Sequence, residues 1–207
     1  INDGFNNHHS IFPFKGEYYI AYHNREVAYV KGEADKRSRE YMRSVCLDHL
    51  IHNEDGTIRT VSTTRDGLPQ LKYINPYKRN EAETMAKGWG INTEARKSAP
   101  DNRIVSSAND GDYIKVQGVN FTKEGLSKFK AFISCGAPKG GNIEIRLESE
   151  NGLLIGTLNI VPTGDWESWK TITTDVSIPN TGIFDLYFVF KGNKEDFAHI
   201  DYWEFTH

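Results

Sequence analysis

Cysteine is almost missing: 207 residues hold two, Cys46 and Cys135. Two thiols so far apart exclude the disulfide framework of a small secreted scaffold, and both are expected as buried free thiols. Charge of one sign is also lacking. Against 25 basic side chains stand 28 acidic ones, a net charge of -3, which gives no electrostatic basis for binding nucleic acid or an anionic membrane surface. Hydrophobic residues make up 38%, and no apolar run approaches the ~20 residues that cross a bilayer. No stretch of ordinary helix length carries an amphipathic pattern. The chain opens at Ile1-Asn2-Asp3-Gly4 without an initiator Met or a signal peptide's apolar core, so it reads as a mature or excised segment.

What is present in quantity is aromatic and turn-forming: 11 Phe, 10 Tyr, 4 Trp and 18 Gly. That mixture predicts short strands joined by tight turns, an all-β protein. Ser10 to Phe14 and Glu17 to His23 flank Lys15-Gly16, a hairpin pattern. Ser44 to His52 and Thr57 to Val61 flank Glu54-Asp55-Gly56, a second hairpin with an Asp-Gly turn. Between the pairs, Asn24 to Glu40 is too polar for a core and reads as a surface excursion. Four antiparallel strands in 65 residues make one small sheet that cannot bury both faces alone, the size and layout of a propeller blade.

Pro69 to Arg79 interrupts the periodicity, and residues 71–79 are assigned as a linker. Beyond it, Asn142 to Ser149 alternates polar and apolar, a half-buried strand. Asp112 to Val116, Lys128 to Ser134, Leu153 to Val161, Trp169 to Ile178, Ile183 to Phe190 and His199 to Phe205 read similarly. With Glu81 to Thr84 as the first, about eight strands in 80–207 predict a β-sandwich or jelly roll.

Asn6 to Arg25, with its His8-His9 pair and the Lys15-Gly16 turn, followed by Arg43 to Ile58, resembles the last blade of the five-bladed β-propellers of glycoside hydrolase family 43, especially its arabinofuranosidase and xylosidase members. The resemblance covers residues 1–70. It implies an inverting mechanism with an Asp base, a Glu acid and an Asp that tunes the acid, one carboxyl protonated and one ionised across the glycosidic bond. All three belong to earlier blades, so no catalytic residue is assigned in this segment; Asp48, Glu54 and Asp55 are not promoted. The resemblance gives His8 a place beside a central calcium or the sugar site, and gives Arg43 a reach to the terminal sugar through its guanidinium fork. Read without it, His8 is a structural hydrogen-bonding histidine and Arg43 a strand-end surface charge.

Glu81 to Thr84, Asp110 to Ile114, Ile143 to Leu147, Gly152 to Thr157, Thr163 to Trp169, Phe184 to Phe190 and Ile200 to Phe205 resemble a family 6 carbohydrate-binding module, a β-jelly roll, over residues 80–207. Such modules are often fused behind family 43 catalytic domains. The resemblance implies a structural Ca²⁺ held by Glu81, Glu83 and Asp201; the two glutamates share a strand face by period two, and hard carboxylate oxygens suit calcium. For a sugar it implies Trp166 as a stacking face. The partner aromatic falls near Ser107, where residues 104–109 hold none, and the sugar-contacting Asn falls at His199. Use of a second site on the concave sheet face stays open, and Trp89, Trp169 and Trp203 default to core.

Three functions follow as expectations. The first is the C-terminal portion of a secreted, bacterial-type hydrolase that removes arabinofuranosyl or xylosyl units from plant cell-wall arabinoxylan or xylan, completed by the other propeller blades. The second is a non-catalytic module for xylan or β-glucan. The third is a module that only stabilises the propeller.

Overall fold

The computed structural model describes residues 8–25, 43–64, 67–192 and 194–206. The chain divides into two compact units, Ile1–Gln70 and Leu71–His207. The described residues form strands and turns without a helix.

In the first unit, β1 (His9–Phe14), β2 (Glu17–Asn24) and β3 (Ser44–Leu50) pair antiparallel in the order β1-β2-β3. Lys15 at φ +50° and Gly16 at φ +86° form the mirror-image turn whose twist suits a two-residue hairpin. The expected Asp55-Gly56 turn is present: Thr57 N donates to Asp55 Oδ1 at 2.9 Å, with Gly56 at φ +81°. The fourth strand is not. Only an isolated bridge joins His52 to Ile58, because the chain then bends back to Asp48. Thr64 Oγ1 donates to Asp48 Oδ1 at 2.6 Å and Tyr22 Oη to Oδ2 at 2.7 Å, leaving the carboxylate 2% exposed. Burial first, then the hydrogen bond to Asp48, pushes the Tyr22 phenol well above its usual pKa. Of the excursion predicted between Asn24 and Glu40, residues 26–40 lie outside the described ones.

Among its described residues the second unit has eleven strands: β4 (Asn80–Glu81), β5 (Lys87–Trp89), β6 (Asn92–Arg96), β7 (Ala99–Ser106), β8 (Tyr113–Phe121), β9 (Gly125–Ser134), β10 (Gly141–Leu147), β11 (Leu153–Ile160), β12 (Lys170–Ile178), β13 (Gly182–Lys191) and β14 (His199–Thr206). They run β5-β8-β13-β10-β11-β12-β9-β14-β7-β6, with β4 on β14. The β11–β12 junction rests on one pair, Gly156 with Val176. A Cβ on Gly156 would lie 2.4 Å from Val176 Cγ1, so only glycine lets the strands close there. The sheet thereby folds into two layers.

Between the layers lies an aromatic core. Phe129 of β9 meets Phe188 of β13 at 5.2 Å between ring centroids, and Phe121 of β8 meets Phe205 of β14 at 5.1 Å, edge to face. Trp203 is core, as expected, at 1% exposure. Trp89 and Trp169 are only half-buried, Trp89 lying parallel to Tyr113 and Trp169 against Phe132. Cys135 is buried and Cys46 half-buried; burial raises the Cys135 thiol pKa.

Two further expectations differ from the structure. Eight strands were expected, and β5, β6 and β7 supply the surplus; β6 reads Asn-Thr-Glu-Ala-Arg and is exposed along nearly its whole length, so no apolar alternation marks it. Residues 71–79 do not stand apart as a linker. Ile74 N donates to Gly118 O at 2.9 Å, Phe205 N to Pro76 O at 2.8 Å, and Ile74 and Tyr77 pack on the core, which removes their apolar surface from water.

Candidate functional site

At one end of the second unit, the loop from Thr163 to Trp169, the end of β9 and the start of β14 converge. Thr163 is buried and pinned on both sides: its N donates to Cys135 O at 2.9 Å, and Cys135 N donates to its Oγ1 at 2.9 Å. Ser134 Oγ donates to Trp166 O at 2.8 Å. Asp165 closes the loop tip by accepting from Glu167 N at 2.7 Å; that amide, then Ser168, holds the Asp165 carboxyl below its ordinary pKa. Such a loop presents a fixed indole on a rigid scaffold.

The structure brings Trp166 and His199 together, stacked at 4.3 Å between centroids and 25° between planes. Gly136 packs against the same indole, since a Cβ there would lie 2.7 Å from Cγ, Cδ1 and Cδ2. His199 Nε2 lies 3.0 Å from Asp196 Oδ2 and 4.0 Å from Glu94 Oε1. At the position where the resemblance puts a sugar-contacting Asn, His199 thus places its Nε2 on Asp196 and its ring on Trp166. The other oxygen of Asp196 accepts from Ala108 N at 3.1 Å and Ala198 N at 3.3 Å, fastening the loop after β7 to the start of β14. Ser107, where an aromatic partner was sought, takes φ +59° and accepts at Oγ from Asn92 Nδ2 at 3.2 Å. The Thr163 to Trp169 loop thus holds the Trp166 indole against His199, with Asp196 and Glu94 carboxylates at the imidazole.

Asp196, Glu94, Asn92 and Gly136 were missed by sequence reasoning. Asp196 three places before His199 is a weak local signal; Glu94 and Asn92 arrive from β6, more than 100 positions away from β14, and nothing in the sequence pairs them with it.

The second cluster surrounds Asp201, the extra residue of a β-bulge between Ile200 and Tyr202 on β14. Asp201 is 1% exposed. Its Oδ2 accepts from Arg96 Nη1 at 2.9 Å and its Oδ1 from Asn102 Nδ2 at 2.7 Å. Glu81 pairs beside it in β4, opposite Tyr202. Glu83 does not share a strand face with Glu81, because β4 ends at Glu81 and a turn follows in which Thr84 N donates to Glu81 O. The Glu83 carboxylate still comes near: burial first, then repulsion from Glu81 and Asp201, raises its pKa. Its Oε2 is buried with no hydrogen-bond partner. Among the described residues no three His, Cys, Asp or Glu side chains stand close enough to grip a metal ion as placed. Here a guanidinium intervenes, Arg79 Nη2 lying 3.0 Å from Glu81 Oε2 and 3.5 Å from Asp201 Oδ1.

In the first unit Arg43 stands exposed just before β3, and His8 stands exposed just before β1 with its backbone N 3.3 Å from His23 Nε2.

Residues 81–207 match the family described as Carbohydrate binding module (family 6). An arabinoxylan arabinofuranohydrolase of Paenibacillus polymyxa is 37% identical over 98% of this chain and 32% of its own length. The crystal structure of a glycoside hydrolase family 43 arabinoxylan arabinofuranohydrolase from Bacillus subtilis, in complex with cellotetraose, aligns with TM-score 0.83 at 38% identity, over 99% of this chain and 41% of that one. A family 6 carbohydrate-binding module from Clostridium cellulolyticum, in complex with xylose, aligns with TM-score 0.60 at 36% identity over 65% of this chain and 100% of that one. The chain thus spans about a third of the length of the curated relative and is matched along both of its units. With residues 81–207 matched by the family model and a two-layer sandwich that aligns with the whole of one such module, this chain belongs to the family 6 carbohydrate-binding modules.

Proposed function

We propose that this chain is the C-terminal portion of a secreted arabinoxylan-acting glycoside hydrolase, with residues 71–207 as its sugar-binding module and the first unit as the last blade of its propeller. The observation that carries this reading is the alignment of both units, in order, with an arabinofuranohydrolase of family 43. The exposed apolar side chains of the three-stranded sheet support it, Val45 at 89% and Ile11, Phe14 and Tyr18 near half, since an isolated sheet of this size needs apolar neighbours. In that setting His8 would face a central calcium or the sugar site and Arg43 the terminal sugar, while the catalytic Asp, Asp and Glu come from other blades. Residues 1–207 alone are then expected to show no turnover of aryl α-L-arabinofuranosides or β-xylosides. Release of the aryl alcohol above the buffer rate would sink that assignment.

The module's ligand is a neutral xylan-type chain lying against Trp166. A second reading has a specific observation behind it: Trp89 and Tyr113 lie parallel at 8° on the outer face of the layer containing β5 and β8, with Tyr187 5.7 Å from Tyr113. Such a row could also receive a glycan.

Glu81, Glu83 and Asp201 are the residues that would hold a calcium ion; as placed they do not form a three-carboxylate grip, and the buried partnerless Oε2 of Glu83 is the one observation in favour of an ion there. Calcium, when bound, supplies positive charge that cancels the mutual repulsion of the three carboxylates and ties β4 to β14. Removing it with EDTA is expected to lower the melting temperature, because an ion bound only to the folded state adds stability. An unchanged melting curve after calcium is restored would count against the ion.

A further inference from the structure

One cross-strand pair holds Trp166 in two places. Ser134 of β9 and His199 of β14 face each other in the ladder. The Ser134 hydroxyl donates to Trp166 O at 2.8 Å, and the His199 imidazole lies on the indole at 4.3 Å between centroids. The backbone of this tryptophan thus depends on a serine, and its ring on an imidazole. We propose that Asp196 is a positioning residue of the Trp166 site: it touches no sugar itself and acts through His199 to hold the indole where a xylan chain stacks. This inference rests on the sugar-binding reading above.

The imidazole needs such a partner. Its ring turns about two side-chain torsions, and a stacking contact made of dispersion and ring quadrupoles resists sliding only weakly. Asp196 supplies the direction. Its Oδ2 stands 3.0 Å from His199 Nε2, and because a carboxylate only accepts, the proton of the neutral ring sits on Nε2 and donates. Glu94 Oε1 lies 4.0 Å from the same nitrogen on a side chain 54% exposed, too far for a hydrogen bond and too wet to take over.

Asp196 can orient the ring because its other oxygen is already fixed. Oδ1 accepts from Ala108 N at 3.1 Å and from Ala198 N at 3.3 Å, and Phe197 N donates back to Ala108 O at 3.1 Å. The carboxylate is thereby tied to the loop after β7 and to the entry of β14 before it reaches the imidazole. The Gly136 backbone closes another side of the indole, where a Cβ would come within 2.7 Å of three ring carbons. What freedom the indole has left is set by the imidazole, and the imidazole is set by Asp196.

The test is retention of the full 207-residue chain in affinity gels cast with soluble arabinoxylan at one neutral pH. The parent is compared with Asp196→Ala, Asp196→Asn, His199→Ala and the double variant of Asp196→Ala with His199→Ala. Asp196→Ala is expected to weaken binding about five- to tenfold, the scale of one hydrogen bond to a charged group. In the His199→Ala background the same change is expected to matter by less than about twofold, because residues that act as one unit are not additive. Asp196→Asn is the conservative rescue. Its amide oxygen keeps the two backbone donors and its NH₂ turns to Nε2, so affinity stays within about twofold of the parent while the ring proton moves to Nδ1. Nitrogen-15 spectra of the His199 ring read that exchange, a measurement that also serves if Asp196→Ala does not fold. Parental affinity in Asp196→Ala, an equal loss with and without His199, or an Nε2–H retained in Asp196→Asn overturns the proposal and leaves the sugar reading standing. A parent that arabinoxylan does not retard, or a Trp166→Ala variant retarded as much as the parent, sinks the sugar reading at Trp166 and this inference with it.

Discussion

Trp203→Ala is expected to destabilise the second unit by about 3–5 kcal/mol, whereas Trp203→Phe is expected to cost no more than about 1 kcal/mol. The contrast comes from the ring's surroundings. Trp203 stacks on Phe129 at 6.4 Å and takes Phe188 at 5.3 Å and Phe205 at 6.0 Å edge-on. Truncation to alanine removes the largest fully buried side chain of the unit from the place where the layers meet, and three locked aromatic neighbours cannot collapse into the void. Phenylalanine leaves a smaller gap and also deletes a liability, because Trp203 Nε1 is buried with no hydrogen-bond partner. A buried donor left unmade costs about 1–3 kcal/mol, which offsets part of the lost packing. Urea unfolding followed by circular dichroism measures both variants. Equal losses for Phe and Ala would mean that the indole N–H is satisfied after all.

Trp166→Ala is expected to weaken binding to arabinoxylan by about 30-fold or more, the loss typical when a central tryptophan of a binding surface is truncated. The indole's loop is held at Thr163, Ser134 and Asp165, so truncation deletes its face without freeing the backbone. His199→Ala removes the ring that lies on the indole and is expected to weaken binding less, by letting Trp166 move. Retention in an affinity gel containing arabinoxylan distinguishes these outcomes. Undiminished retention of Trp166→Ala, with retention lost in Trp89→Ala, would put the sugar on the outer sheet face instead.

The reach of sequence reasoning can be seen at particular residues. Trp166 was assigned from the resemblance of its Thr-Gly-Asp loop to that of a family 6 module, and the structure places it beside His199. Asp201 was found as a carboxylate in a terminal strand, yet its bonds to Arg96 and Asn102 were not, since those residues lie 105 and 99 positions away. Arg79 was placed in a linker, and its fork on Glu81 shows why a composition break is a poor guide there: two residues apart in an extended chain, the side chains share a side. The expected Glu81–Glu83 face failed for the opposite reason, because the strand stops at Glu81 and period two has no meaning in the turn beyond it. His199 stands where the resemblance places a sugar-contacting Asn, and nothing in the chain reveals that Asp196 reaches its imidazole.

Near-absence of cysteine, balanced charge and the lack of long apolar runs excluded other classes, and the abundance of aromatic and glycine residues with period-two alternation was enough to point to an all-β protein. These properties follow from composition and from the two-residue period of a strand, both of which are local. What only the tertiary structure decided is which partner each polar side chain keeps: Asp196 for His199, Arg96 for Asp201, Arg79 for Glu81, and none for Glu83 Oε2. The pairings of Asp201 depend on strand order and on the extra residue at the β14 bulge, which bring it to Arg96 and Arg79 from 105 and 122 positions away, where no local pattern can specify them.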